Sequence, residues 1–242
     1  MNVPASSLHY RGHRFPVEII SYAVWLYYRF SLSLRDVEEL LAERGIVVSY
    51  ETVRQWTLKF GQMYANELRR RRAQTGDKWH LDEVFLSING KTRYLWRAVD
   101  QHGRVLDILV QRRRNKAAAK KFFRKLLKGC EYVPRVLITD KLGSYEAARN
   151  EVLPSIEHRR HKRLNNRAEN SHQPTRQREP GTLWVLRHFK STGQAQRFLA
   201  AFGPIREHFC PRRHRFAAAV VRRERAHRFQ VWNEVTGVQL VA

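Results

Sequence analysis

Cysteine is nearly absent from this chain: Cys130 and Cys210 are too few and too far apart for a disulfide framework or a zinc ribbon. Both are read as buried small hydrophobes in a protein of a reducing compartment. Long apolar runs are missing too. The most apolar stretches, such as Ala195 to Phe202, fall well short of a membrane span, and Met1 to Tyr10 carry no apolar signal core, so a soluble, intracellular protein without a membrane partner is expected. Internal repeats and low-complexity tracts are lacking, which excludes a repeat array. Acid is scarce: 22 Asp plus Glu stand against 46 Lys plus Arg, a formal charge of +24. Such a chain repels itself unless an anionic partner neutralises part of it, and nucleic acid is the natural one.

What is present suffices to fold. The 242 residues are 43% hydrophobic and include six Trp and twelve Phe, enough to fill one large core or two small ones.

From Pro16 to about Leu68 the pattern is helical. Pro16 and Glu18 open a first helix with Val17, Ile20, Val24 and Tyr27 on one face. Ser33 and Asp36 form a capping-box arrangement for a second, carrying Leu34, Val37 and Leu41 inward until Gly45. After a tight turn, Ser49 caps a third helix in which Val53, Trp56, Phe60 and Met63 recur at intervals of three and four. Two helices joined by a short Gly-containing turn read as a helix-turn-helix, with Tyr50, Thr52, Arg54, Gln55 and Lys59 facing outward to DNA. The plainer reading is a three-helix bundle with a basic exposed face.

Past Arg69 to Arg72 and the small, polar stretch Ala73 to Asp77 the period changes. Trp79 to Ile88 and Thr92 to Val99 are aromatic and β-branched and flank Asn89-Gly90, a hairpin signal. A turn at Asp100 to Gly103 leads to a third strand, Val105 to Gln111. Asn115 to Lys128 is helical, with Phe122, Phe123, Leu126 and Leu127 as its apolar face. Val136 to Thr139 is a short apolar strand, Leu142 to Asn150 is helical, Ser155 to His158 is one more strand, and Asn165 to Ser171 has helical composition. That order predicts an α/β fold, a mixed sheet with helices on its faces. The expected division is a helix-turn-helix DNA-binding domain over 1–76, a catalytic domain over 77–210 and a basic helical tail over 211–242.

Three acids stand where a sheet of this kind brings side chains together. Asp82 lies in the apolar strand Trp79-His80-Leu81-Asp82-Glu83-Val84, where an acid is costly unless it is paired or coordinates a cation; alternation sends Glu83 to the opposite face. Asp140 follows Val136 to Thr139, at a strand's carboxyl end. Glu169 belongs to the polar run Asn165 to His172. Singly, each reads as a capping or salt-bridged residue; together they read as a site for hard cations, as phosphodiester chemistry with two Mg²⁺ about 4 Å apart requires. His158 and His161 lack a second pair with zinc spacing, and neither Ser144 nor Ser171 sits in a nucleophile elbow.

Four segments carry a resemblance: Trp79-His80-Leu81-Asp82-Glu83, Tyr94-Leu95-Trp96-Arg97-Ala98-Val99-Asp100, Asp140-Lys141-Leu142-Gly143-Ser144-Tyr145, and Asn165 through Arg176. Over nearly its whole length the chain resembles bacterial insertion-sequence transposases with a DDE triad on a ribonuclease-H-like integrase core, most closely the insertion-sequence-six family. The resemblance implies Asp82, Asp140 and Glu169 as catalytic metal ligands, Mg²⁺ as cofactor with Mn²⁺ able to substitute, and Arg176, seven positions after Glu169, as a DNA contact. It also implies binding to double-stranded DNA at terminal inverted repeats and at a target, and nicking by metal-activated water. The 3′-hydroxyl is then transferred to give a cointegrate, by a homo-oligomer of at least two copies in the bacterial cytoplasm at the nucleoid. Asp140 and Glu169 are 29 positions apart, a few short of the usual interval, which a trimmed loop near Glu151 to His161 explains. In the tail, Arg212, Arg213, Arg215, Arg222, Arg223 and Arg225 would bind backbone phosphate, with Phe216, Val220 and Val221 packed down. The rival readings are a non-catalytic helix-turn-helix regulator, which leaves the acids unexplained, and a ribonuclease-H-like nuclease without strand transfer.

Overall fold

The structure, a computed structural model, describes residues 10–30, 32–72, 75–130, 132–140, 143–160, 165, 168, 189–210 and 217–239. Glu169, Arg176, Lys141, His161, Ser171, Arg212, Arg213, Arg215 and Phe216 lie outside them. By its contacts the chain forms two compact units, residues 72–200 and residues 1–71 with 201–242.

The helical unit opens with α1 (Val17–Phe30), α2 (Leu34–Ala42) and α3 (Tyr50–Arg70). Each boundary has a local cause. Ser33 and Asp36 exchange side-chain and backbone hydrogen bonds in a complete capping box, and Ser49 accepts from the Thr52 amide. Gly45, at φ 73°, supplies the left-handed residue that ends α2 and turns the chain toward α3. The apolar periodicity becomes the core, with Ile20, Val24, Val37, Leu41, Val53, Trp56 and Phe60 almost wholly inaccessible. A described helix, α7 (Ala218–Thr236), belongs to this unit as well. The described residues of 201–239 group by their contacts with the N-terminal helices. Trp232 of α7 is the physical reason: its ring packs edge-on against Tyr64 of α3 at 5.2 Å and against Phe209 at 5.5 Å.

The sheet unit holds β1 (Lys78–Ile88), β2 (Lys91–Asp100), β3 (Val105–Gln111), α4 (Lys116–Cys130), β4 (Val136–Thr139), α5 (Gly143–Val152) and β5 (Glu157–Arg160). It also holds the start of α6 (Thr192–His208). The strands order as β3-β2-β1-β4-β5, antiparallel from β1 to β3 and parallel across β1-β4-β5, the mixed sheet that the element order predicts. Asn89 and Gly90, at φ 50° and 70°, make the β1–β2 turn. Asp100 accounts for the β2–β3 turn: fully buried, it accepts from the amides of His102 (2.8 Å) and Arg104 (3.0 Å).

One face of the sheet is sealed by α4 and α5. Trp79, Leu81, Trp96, Ala98 and Leu137 from the strands meet Phe122, Phe123, Leu126, Tyr145 and Ala148 from the helices. Each large side chain buried there contributes about 1.5–3 kcal/mol. At the sheet's edge, Gln196 of α6 accepts from the Val110 amide at 2.8 Å, occupying part of an otherwise open strand. The cysteines differ from expectation: Cys130 is half-buried and Cys210 exposed, because each sits at or just past a helix end where the chain leaves the packed layer. No described helix is long and apolar enough to cross a membrane.

Candidate active site

The parallel pairing of β1 with β4 sets Leu81 opposite Thr139, so the next residue of each strand, Asp82 and Asp140, falls at the same level. Asp82 is 8% exposed and Asp140 half-buried at the carboxyl end of β4. Glu83 joins them. Carboxylate oxygens of Asp82, Glu83 and Asp140 lie within 4.8 Å of one another.

Alternation does send Glu83 to the α4 and α5 side of the sheet, yet its carboxylate stays with the other two because partners on that side hold it there. Tyr145 of α5 donates its hydroxyl to one oxygen at 2.6 Å, and Arg114 donates Nε to the other at 2.5 Å. Arg114 Nη2 also pairs with Glu83 and reaches to 3.7 Å from Asp140. Burial pushes the Glu83 carboxyl above its ordinary value; the Tyr145 hydrogen bond opposes this, Asp140 adds to it, Arg114 opposes it, and Asp82 adds to it. Tyr145, wholly buried, is held neutral by that burial and by the Glu83 charge. Sequence reading missed Glu83, Arg114 and Tyr145 as a group. The available signal was two consecutive acids in an apolar strand, both of which need partners once the sheet is covered.

Asn165 is 1% exposed and donates Nδ2 to the carbonyl of Leu81 at 2.8 Å, next to Asp82; Ala168 is fully buried. Glu169, the third acid expected from sequence, and Arg176 lie outside the described residues.

The carboxylates of Asp82, Glu83 and Asp140 form an oxygen-only donor set of the kind hard divalent cations take. Asp82 and Asp140 therefore fit such an ion, with Glu83, whose two oxygens accept from Arg114 and Tyr145, beside them. Zinc is not favoured: the described acidic cluster contains neither His nor Cys, and His158 Nε2 lies 2.9 Å from the Thr139 hydroxyl. Ser144, at the start of α5, has a buried hydroxyl with no hydrogen-bond partner among the described residues.

On α3, Arg54, Gln55 and Lys59 are exposed, while Thr52 is half-buried and bonded to Ser49 at 3.0 Å. Arg54 is tied to Glu51 by two hydrogen bonds (2.7 and 2.6 Å), and Lys59 lies 2.7 Å from His13. On α7, Arg222, Arg223 and Arg225 are exposed, with Val220 and Val221 half-buried.

A five-stranded mixed sheet in this order, with acids at matched positions on its two central parallel strands, defines a ribonuclease-H-like catalytic domain. A protein-family model described as a DDE domain, of the IS240 transposase type, matches residues 76–211. The transposase for insertion sequence-like element IS431mec of Staphylococcus aureus is 32% identical over 169 residues, 68% of this chain and 75% of that protein. The transposase for insertion sequence element IS257 in transposon Tn4003, also of Staphylococcus aureus, matches at the same identity and coverage. A retroviral assembly, the simian T-cell lymphotropic virus intasome in complex with PP2A regulatory subunit B56 gamma, superposes with a TM-score of 0.42 at 12% identity, over 55% of this chain and 49% of that one. The chain belongs to the insertion-sequence-six family of DDE transposases. It is thus a transposase of an insertion sequence, of a class that cleaves and transfers nucleic-acid strands.

Proposed function

We propose that this transposase binds the terminal inverted repeats of its element as double-stranded DNA, nicks them, and transfers the freed 3′-hydroxyl to a target phosphodiester, forming a cointegrate. The observation that carries the reading is the set of carboxylates of Asp82, Glu83 and Asp140 gathered within 4.8 Å at the carboxyl end of β4. Mg²⁺, or Mn²⁺ in its place, supplies activation of the attacking oxygen and stabilisation of charge on the phosphate when bound there.

Asp82 and Asp140 are the ligands, with Glu169 as the third. Asn165, four positions before Glu169 in sequence, supports that assignment, because its side chain donates to the Leu81 carbonyl beside Asp82. Glu83 acts as a brace: fixed by Tyr145, it holds Arg114 near Asp140 and so limits how far that carboxylate can turn. Arg54, Gln55 and Lys59, with Thr52 near the start of the helix, form the repeat-reading face of a helix-turn-helix domain over residues 1–76. The catalytic domain spans 77–210, and Arg176 contacts the DNA end. The exposed arginines of α7 neutralise backbone phosphate. Because both ends of the element must be held at once, the working form is a homo-oligomer of at least two copies, in the cytoplasm at the nucleoid.

The test is nicking of inverted-repeat DNA with and without Mg²⁺. Cleavage by the wild type and none by Asp82→Asn, at equal DNA affinity, is the expected result. Equal cleavage by the two proteins would remove the acids from the chemistry, and a wild type that binds the repeats without cutting them would be a DNA-binding regulator.

A further inference from the structure

Phe85 is 62% exposed on a strand whose neighbours are buried. Trp79, Leu81, Glu83 and Phe85 share one face of β1 by alternation. The first two are sealed under α4 and α5, and Glu83 is reached by Tyr145. Phe85 is the first side chain on that face to stand clear of the helices. It lies about 7 Å along the strand from Glu83, roughly one nucleotide from the carboxylates.

An isolated exposed aromatic is ordinary and needs no explanation. This one is held and placed. Cross-strand Tyr94 packs against it with ring centroids 5.3 Å apart, and the Arg114 guanidinium lies 5.9 Å from its ring centroid. The same guanidinium pairs with Glu83 and sits 3.7 Å from Asp140, so one side chain links the aromatic ring to the acids. Arg112 and Arg113, both exposed, continue the positive surface into the connection between β3 and α4. A braced ring among arginines is the chemistry that binds single-stranded nucleic acid: the ring takes a base, the cations take the adjoining phosphates.

We propose that Phe85, braced by Tyr94 and Arg114, stacks on an unpaired base of the DNA strand whose phosphate lies at Asp82 and Asp140. The inference rests on the strand-cleavage reading above, and it assigns that site a preference for DNA that is already frayed beside the reacting phosphate. Unpairing is cheapest at an end or a distortion, so the contact favours substrates opened there.

The test uses the full chain in EDTA, where no cleavage occurs. The probes are a forked duplex carrying 2-aminopurine in its unpaired arm and a fully paired duplex of the same sequence. Wild type is expected to quench the fluorophore and to bind the fork more tightly than the paired duplex. Phe85→Ala is expected to lose the quenching and to weaken fork binding about ten-fold, with paired-duplex affinity unchanged; Phe85→Trp should retain both properties. Phe85→Leu keeps apolar bulk without a π face and should behave like the alanine variant, which guards against a folding defect. Retained quenching and fork preference in Phe85→Ala and Phe85→Leu would overturn the proposal, as would equal loss of binding to both duplexes. Failure of the cleavage reading would show instead as wild type that cuts nothing in Mg²⁺, a result independent of this metal-free measurement.

Discussion

Glu83 has a side chain only 2% exposed, and it is tied to Arg114 and Tyr145 while its carboxylate stays with those of Asp82 and Asp140. Glu83→Gln keeps the shape and removes the charge that holds Arg114. The expected outcome is a loss in Mn²⁺ affinity of about ten-fold or more, the usual effect of removing a group that orients a ligand, read by calorimetric titration of the protein without DNA. Unchanged affinity would mean that Asp140 is placed by its backbone alone. Asp82 and Asp140 were legible from sequence because strand burial makes an acid conspicuous and strand ends gather ligands. The brace was not, since Arg114 and Tyr145 are 31 and 62 residues away from Glu83, and nothing local pairs them.

At the scale of elements, two contacts show how helices are fixed. On α3, a Cβ added at Gly61 would lie 2.5 to 2.8 Å from the ring of Tyr28, which is buried and donates its hydroxyl to the Thr57 carbonyl at 3.2 Å. The ring has nowhere to move, so Gly61→Ala is expected to destabilise the helical unit by about 1–3 kcal/mol, measured by urea unfolding; a neutral result would mean that α1 shifts freely against α3. Between α4 and α5, Glu151 pairs with Lys116 and Lys120, hydrogen bonds that depress its pKa from 4.5 to about 2. A depressed folded-state pKa gives stability that is full above 4.5 and is lost as pH falls toward 2. The thermal midpoint of the wild type should therefore exceed that of Glu151→Gln at neutral pH, with the gap already narrower by about pH 3. A gap that stays constant with pH would contradict the pairing.

Most elements were legible because their signals are local. The Ser33 capping box, the Asn89-Gly90 turn and the apolar run Val136 to Thr139 each specify structure within a few residues, and the strands Val105–Gln111 and Val136–Thr139 have the bounds read from sequence. The packing of α7 was not legible. Its apolar anchor, Trp232, meets Tyr64 and Phe209, contacts that no local periodicity encodes.

For the whole molecule, a formal charge of +24 dominates behaviour in solution. Neutralising phosphates releases counterions, so affinity for DNA should fall steeply with salt, by about 10³-fold or more between roughly 50 and 200 mM if six or more phosphates are contacted. A gel-shift series with inverted-repeat and unrelated duplexes measures both that slope and the specific margin. A flat salt response would show that the basic surface is not the DNA-binding surface.

Joining is what separates a transposase from a nuclease on the same fold, and precleaved inverted-repeat ends with exposed 3′-hydroxyls, incubated with a supercoiled target plasmid, test it most directly. Covalent joining in Mg²⁺ by the wild type, absent with Asp140→Asn and with Glu169→Gln, is the predicted result. Joining that persists in either variant, or wild type that cuts DNA in Mg²⁺ yet joins none of these ends, would contradict the account.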